Sequence, residues 1–192
     1  MNIEKDKTAL LIIDMQKAFV EPGAAHCIAG AKATVPAVSK AASMARSAGI
    51  PVFWIKRRYR KNGSDVEFTR YDSWLKGGRT MAPGSTGRNS EELAEGLEMM
   101  EDDYEIIKPR WSGFFQTELD MVLRRLGINT IILAGTTTPN CIRTTCYDGI
   151  ALDYRTIILK DCCSSQTAEI QEANLKDMEA IGAELMETLE IQ

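Results

Sequence analysis

The sequence predicts an α/β protein, a three-layer α/β/α sandwich around a mainly parallel sheet of about six strands. Three observations predict it. Apolar runs of strand length recur six times without the polar alternation of a half-exposed strand. Helical patterns lie between most of them, and strands alternating with helices imply right-handed crossovers and a sheet covered on both faces. At 192 residues, 44% hydrophobic and 26% charged, the chain suits one domain, 1–192, with a substantial core.

The strand runs fall at 9–13, 51–55, 104–107 and 130–134, then at 156–159 and, more weakly, at 184–189. Residues 35–48 are apolar at helical spacing and stop at Gly49. Asn89 followed by Glu92 has the form of a capping box and predicts a helix through Met99. The pattern over 117–126 ends with Gly127 in the C′ position, and 140–152 and 167–181 complete the helices. Segment 56–88 breaks the alternation, being rich in Gly, Arg, Tyr and Trp without a clear period. Loops of that length are usually functional, so it is predicted as a lid or pocket wall.

The formal net charge of −4 argues against a nucleic-acid partner. Arg57, Arg58, Arg60 and Lys61 form a local basic cluster, read as a solvated loop or one wall of a pocket for an anionic substrate. The polar opening Met1-Asn-Ile-Glu-Lys-Asp-Lys lacks leader character, and no apolar stretch approaches membrane-spanning length. A cytoplasmic protein with no membrane partner is expected. Five cysteines, at 27, 141, 146, 162 and 163, are odd in number and scattered, which suits reduced thiols.

Parallel sheets place their sites outside the carboxyl ends of the strands. Asp14 closes the first apolar run, Lys108 closes the third, and Cys141 follows the fourth across the turn Gly135-Thr-Thr-Thr-Pro-Asn-Cys141. Thr138 has the hydroxyl of an N-cap and Pro139 suits the first helical position, making Cys141 the third helical residue. There, unpaired N–H groups and the helix dipole would favour a reactive thiolate. A capping Thr138 hydroxyl would compete for the Cys141 N–H, so the donors available to an oxyanion stay open at this stage. A carboxylate beside the thiol can take its proton and later return it to a leaving amine, and a nearby ammonium favours both anions. That is acyl-transfer chemistry. His26 lies in a turn-like stretch with no helix start or strand end to position it, and is read as a loop histidine.

Three separated motifs carry a resemblance: Ile12-Ile-Asp-Met-Gln16; Lys108-Pro-Arg-Trp-Ser-Gly-Phe-Phe115 with Thr117-Glu-Leu119; and Gly135-Thr-Thr-Thr-Pro-Asn-Cys-Ile142 with Thr145. In this order, from the first strand to about Gly182, the chain resembles the isochorismatase-like cysteine hydrolases. The resemblance implies Asp14 as base and acid, Lys108 as electrostatic partner and Cys141 as nucleophile. It also implies a cis peptide between Thr136 and Thr137, aiming the Thr137 and Cys141 N–H groups at an oxyanion. Where the family often has Asn-Asp-Phe, this chain has Lys17-Ala18-Phe19, so Gln16 and Phe19 alone carry over there. With Trp111 and Phe115 they are expected to line the pocket.

Residues 135–154 and Thr69-Arg-Tyr-Asp-Ser-Trp74 resemble the N-carbamoylsarcosine, ureidoacrylate and biuret amidohydrolases. That implies hydrolysis of a C–N bond in a small amide, ureido or N-carbamoyl compound through a thioester, with Arg70, and secondarily Arg57, binding a substrate carboxylate. The ordinary alternative for each arginine is a solvated surface position. No histidine follows residue 26, so the Asp-plus-two-His metal set of the nicotinamidases cannot be built; no metal and no cofactor are expected. The resemblance further implies a homo-oligomer, dimer or tetramer. A competing reading is a thiol oxidation sensor, or a non-catalytic small-molecule-binding protein on the same fold.

Overall fold

The computed structural model describes residues 3–188. Its strands are β1 (Thr8–Ile13), β2 (Val52–Arg57), β3 (Tyr104–Lys108), β4 (Thr130–Thr136), β5 (Arg155–Ser164) and β6 (Glu184–Met186). They form one six-stranded sheet in the order β3-β2-β1-β4-β5-β6, every neighbouring pair parallel. The order reverses between β1 and β4, which is where such sheets open a crevice at their carboxyl ends. The last predicted run extended to Leu189; β6 stops at Met186, and Leu189 lies outside the described residues.

Both faces of the sheet are buried, as continuous apolar runs require. Leu10 and Ile12 of β1 join Val52, Trp54, Ile132 and Ile157 beneath helix α2 (Ala31–Ser47), after the single turn α1 (Lys17–Val20). Ala9, Leu11 and Ile13 point the other way, into a core shared with Phe53, Ile55, Ile131 and Leu133. That second face is covered by α4 (Leu119–Arg125), α5 (Arg143–Ala151) and α6 (Ala168–Ala180).

Two sequence expectations need correcting. Residues 89–99 do not form a helix, because the capping partners are engaged elsewhere. The Asn89 side chain accepts from the Ala25 N–H at 3.0 Å, and Glu92 pairs with Lys17. The backbone bonds outward too, Lys17 N–H to the Glu92 carbonyl at 2.8 Å and Ala94 N–H to the Met15 carbonyl at 3.0 Å. Segment 56–88 is also more ordered than a loop. It opens with the end of β2, contains helix α3 (Tyr71–Lys76), and closes a small core of Tyr59, Val66, Trp74 and Met81 against Ala18 and Phe19.

Two backbone positions aim the strand ends. Gly135 has φ +114°, and a Cβ there would collide with the backbone of Ile13, so only glycine lets β4 pass β1 this closely. Asp14 has φ +53°, sparsely populated for a residue with a side chain, and its N–H donates to the Ile55 carbonyl at 2.9 Å. The chain thus turns sharply just after β1 and, one strand over, near the end of β4.

Candidate active site

The three groups singled out at strand ends meet at the β1/β4 crevice. Lys108 Nζ donates to Asp14 Oδ2 at 2.7 Å and to the Arg110 carbonyl at 3.0 Å, and lies 3.6 Å from Cys141 Sγ. An ammonium has three protons, and these three contacts use them all. Lys108 and Asp14 are fully buried and Cys141 is 4% exposed. Asp14 Oδ1 is buried without a hydrogen-bond partner, leaving one carboxylate oxygen uncommitted beside the sulfur's ammonium partner.

The turn that delivers the thiol differs from a capped α-helix. Residues Thr138–Ile142 form a π-helical turn, in which the Thr137 carbonyl accepts from both Asn140 N–H (3.1 Å) and Ile142 N–H (3.2 Å). Thr137 occupies the N-cap, and the Thr138 hydroxyl donates to the Ser164 carbonyl at 3.0 Å instead of capping. The competition for the Cys141 N–H foreseen from a Thr138 cap therefore does not arise. The Thr136–Thr137 peptide is cis. Ser164, at the end of β5, ties the turn down by also accepting from the Thr137 hydroxyl at 3.2 Å and donating to Thr136 Oγ1 at 3.0 Å. Thr145 joins the other two motifs, donating to the Cys141 carbonyl at 2.7 Å and accepting from Gly113 N–H at 2.9 Å.

Cys141 opens onto a cavity of about 240 Å³. Thr137 and Asn140 border it beside the sulfur, and Phe19, Trp111, Arg57 and Arg70 form much of the remaining wall. Phe19, Trp111 and Arg70 thus stand where a pocket role requires, and Arg57 does as well. Gln16 and Phe115 do not. Gln16 is fully buried and bonds backbone only, accepting from Arg57 N–H at 2.7 Å and donating to the Arg57 and Glu91 carbonyls. It extends the β1–β2 ladder through a side chain and so fixes where β2 ends. Phe115 is half-exposed on a separate depression with Arg143 and Tyr147.

Sequence reasoning set one group aside as a loop histidine and passed over another. His26 borders the cavity, held against Phe19 with ring centroids 6.0 Å apart; its only sequence signal was being the sole histidine. Glu67 and Tyr59, within a segment without periodicity, hold Arg57 and gave no signal at all.

An isochorismatase-domain family model matches residues 8–190. The chain belongs to the isochorismatase family. This isochorismatase-family protein is 41% identical over 177 residues to an Arabidopsis thaliana protein named probable inactive nicotinamidase, covering 91% of this chain and 89% of that one. It is 30% identical over 199 residues to the ureidoacrylate amidohydrolase of Caulobacter segnis, covering 93% and 81%. Among solved structures, an isochorismatase family protein from Desulfovibrio vulgaris superimposes with a TM-score of 0.91 at 40% identity, with 95% of each chain covered.

The electrostatics of the family member's sulfur correct the expectation of a helix-stabilised thiolate. Burial first, then the Asp14 charge, push the Cys141 thiol above its ordinary value of 9.0; Lys108 and Arg57 pull it back only in part. The resting sulfur is therefore a thiol next to a carboxylate. Carbamidomethylation of Cys141, followed by mass spectrometry across pH, is expected to keep accelerating past pH 10, where an unperturbed cysteine approaches its plateau. A plateau already reached near neutrality would mean a resting thiolate. Among the described residues no three His, Cys, Asp or Glu side chains gather as a metal-binding set. No helix among them is long and apolar enough to cross a membrane.

Proposed function

We propose that the protein hydrolyses the C–N bond of a small amide, ureido or N-carbamoyl compound through a thioester on Cys141. The observation that carries this reading is the Lys108 ammonium touching both Asp14 and Cys141, with Asp14 Oδ1 left uncommitted. Asp14 Oδ1 takes the thiol proton as Sγ bonds to the substrate carbonyl carbon. The carbonyl oxygen becomes an oxyanion, received by the N–H groups of Thr137 and Cys141. Collapse breaks the C–N bond while Asp14 returns its proton to the nitrogen, releasing ammonia or an amine. Water then attacks the thioester, again giving a proton to Asp14, and frees the acid or carbamate as the thiol re-forms.

Lys108 touches both groups and steadies whichever of them carries negative charge as the proton moves. The raised thiol pKa counts against the oxidation-sensor alternative, which needs a resting thiolate. A buried lysine–aspartate pair is also more than a sensor requires.

The test is interception of the covalent species. Rapid mixing with a panel of small amides, ureas and N-carbamoyl acids, quenched in acid and digested, should give an acyl or carbamoyl adduct on the Cys141 peptide and ammonia in solution. Ammonia release with the adduct absent from Cys141 at every quench time would remove the thioester route.

A further inference from the structure

One residue of the cavity wall carries a buried polar atom with no partner. Arg57 is 1% exposed, and its Nη1 donates to the Tyr59 hydroxyl at 3.0 Å and to Glu67 Oε1. Tyr59 in turn donates to Glu67 Oε2 at 2.6 Å. Arg57 borders the cavity, whereas Tyr59 and Glu67 do not. The guanidinium is therefore gripped from outside the cavity, and its buried Nε finds no acceptor. Interiors rarely leave such a donor unmet, and a charged one least of all.

Arg70 reaches the same cavity from the turn ahead of α3, and the Arg57 and Arg70 guanidiniums stand over one indole, that of Trp111, at 5.9 and 5.5 Å. Two like charges beside one ring leave the cavity electropositive. His26 registers this independently. Burial first, then Arg70 and Arg57, hold its pKa below 6.5 against the weaker opposing charges of Glu67 and Asp14. Glu67 does not neutralise the cavity from inside. Burial alone would raise its pKa, but Arg57 and the Tyr59 hydroxyl keep it low, so it serves as Arg57's fixed counter-ion outside the wall.

We infer that Arg57 and Arg70 form a carboxylate clamp, with Glu67 and Tyr59 holding Arg57 Nε toward the cavity, so that the substrate is an amide or ureido acid and not a neutral amide. Its wording as a substrate rests on the hydrolase reading; the clamp itself needs no turnover. A planar carboxylate matches a guanidinium edge, and it supplies the acceptor that Nε lacks. The cavity volume of 240 Å³ corresponds to about eight water-sized groups at roughly 30 Å³ each, enough for a ureido or amide head, a short linker and one carboxylate. Glu67 and Tyr59 are positioning residues, acting on the ligand only through Arg57.

The sole histidine makes the test direct, because His26 gives a single imidazole resonance. The probes are 3-ureidopropionate and 3-ureidopropionamide, which differ only in the terminal group, titrated into Cys141→Ala protein by calorimetry and by NMR. The acid should bind at least about tenfold more tightly, the discrimination expected of one hydrogen bond to a charged group. It should also move the His26 midpoint upward by offsetting the two arginine charges, while the amide leaves it in place. Arg70→Met, at a partly exposed position, should bring the acid-to-amide ratio toward one. In otherwise wild-type protein, Glu67→Gln should raise KM for the acid with little change in kcat.

Equal affinity for acid and amide, or a His26 midpoint indifferent to the acid, would overturn the clamp whatever happens to turnover. Preferential binding of the acid, with no ammonia released from any compound by the wild-type protein, would overturn the hydrolase reading and leave the clamp standing.

Discussion

Cys141→Ala is expected to abolish amide hydrolysis, a loss on the order of 10⁶-fold in kcat, with the fold intact. The size of the effect follows from what remains. Asp14, Lys108 and the backbone donors of the turn stay in place, but without Sγ no group can form the acyl-enzyme, and a water would have to attack an unactivated amide unaided. Stability should change little, because the substitution removes one small buried atom from a turn held by Thr137, Thr138 and Ser164. A cost of about 1 kcal/mol would lower Tm by roughly 2–4 °C for a chain of this length. Cys141→Ser should recover almost nothing, since a hydroxyl holds its proton more tightly than a thiol and Asp14 would have to remove it at the same site. Turnover of Cys141→Ala within tenfold of wild type, measured as ammonia release, would show that the chemistry runs through another group.

What the sequence disclosed about this site follows from where each residue stands. Asp14 and Lys108 were legible because each closes an apolar run at its carboxyl end, and Cys141 because a short turn delivers it from the end of another; a parallel sheet brings such ends together. The turn was half legible. Small residues and a proline announced a tight connection, but Thr138 reads equally well as a cap or as a tether, and only the nearby Ser164 carbonyl decides for the tether. Glu92 illustrates the same limit at 89–99, where a capping box is a local signal and the long-range Lys17 pair overrides it. Gln16 and Phe115 show the converse: a motif fixes the order of residues but not the direction a side chain takes. The Arg57–Tyr59–Glu67 cluster was invisible because no period links its members, and a buried ion pair in irregular chain leaves no pattern until the chain is folded.

Lys108→Met is expected to destabilise the protein by about 3–5 kcal/mol and to lower kcat by roughly 10²–10⁴-fold. The two effects share a cause. In wild type the Lys108 ammonium pairs with the fully buried Asp14 carboxylate through Oδ2, and Oδ1 meets no second cation to share its charge among the described residues. Removing the ammonium leaves an uncompensated charge in the core, and such a group takes up a proton in preference to remaining ionised. A protonated Asp14 cannot accept the thiol proton, so activity falls along with stability. The double variant Asp14→Asn/Lys108→Met separates the two consequences. With no charge left to bury, it should regain most of the lost stability, because a buried ion pair and a neutral pair of similar volume differ little, yet it should regain no turnover. Urea denaturation of wild type, both single variants and the double variant measures the coupling, and ammonia release from the same four proteins measures the chemistry. At roughly 2–4 °C per kcal/mol the single Lys108→Met variant should melt about 6–20 °C below wild type. A Lys108→Met protein as stable as wild type would mean that the pair does not hold the site together. A double variant that regained activity with its stability would remove Asp14 from the proton path.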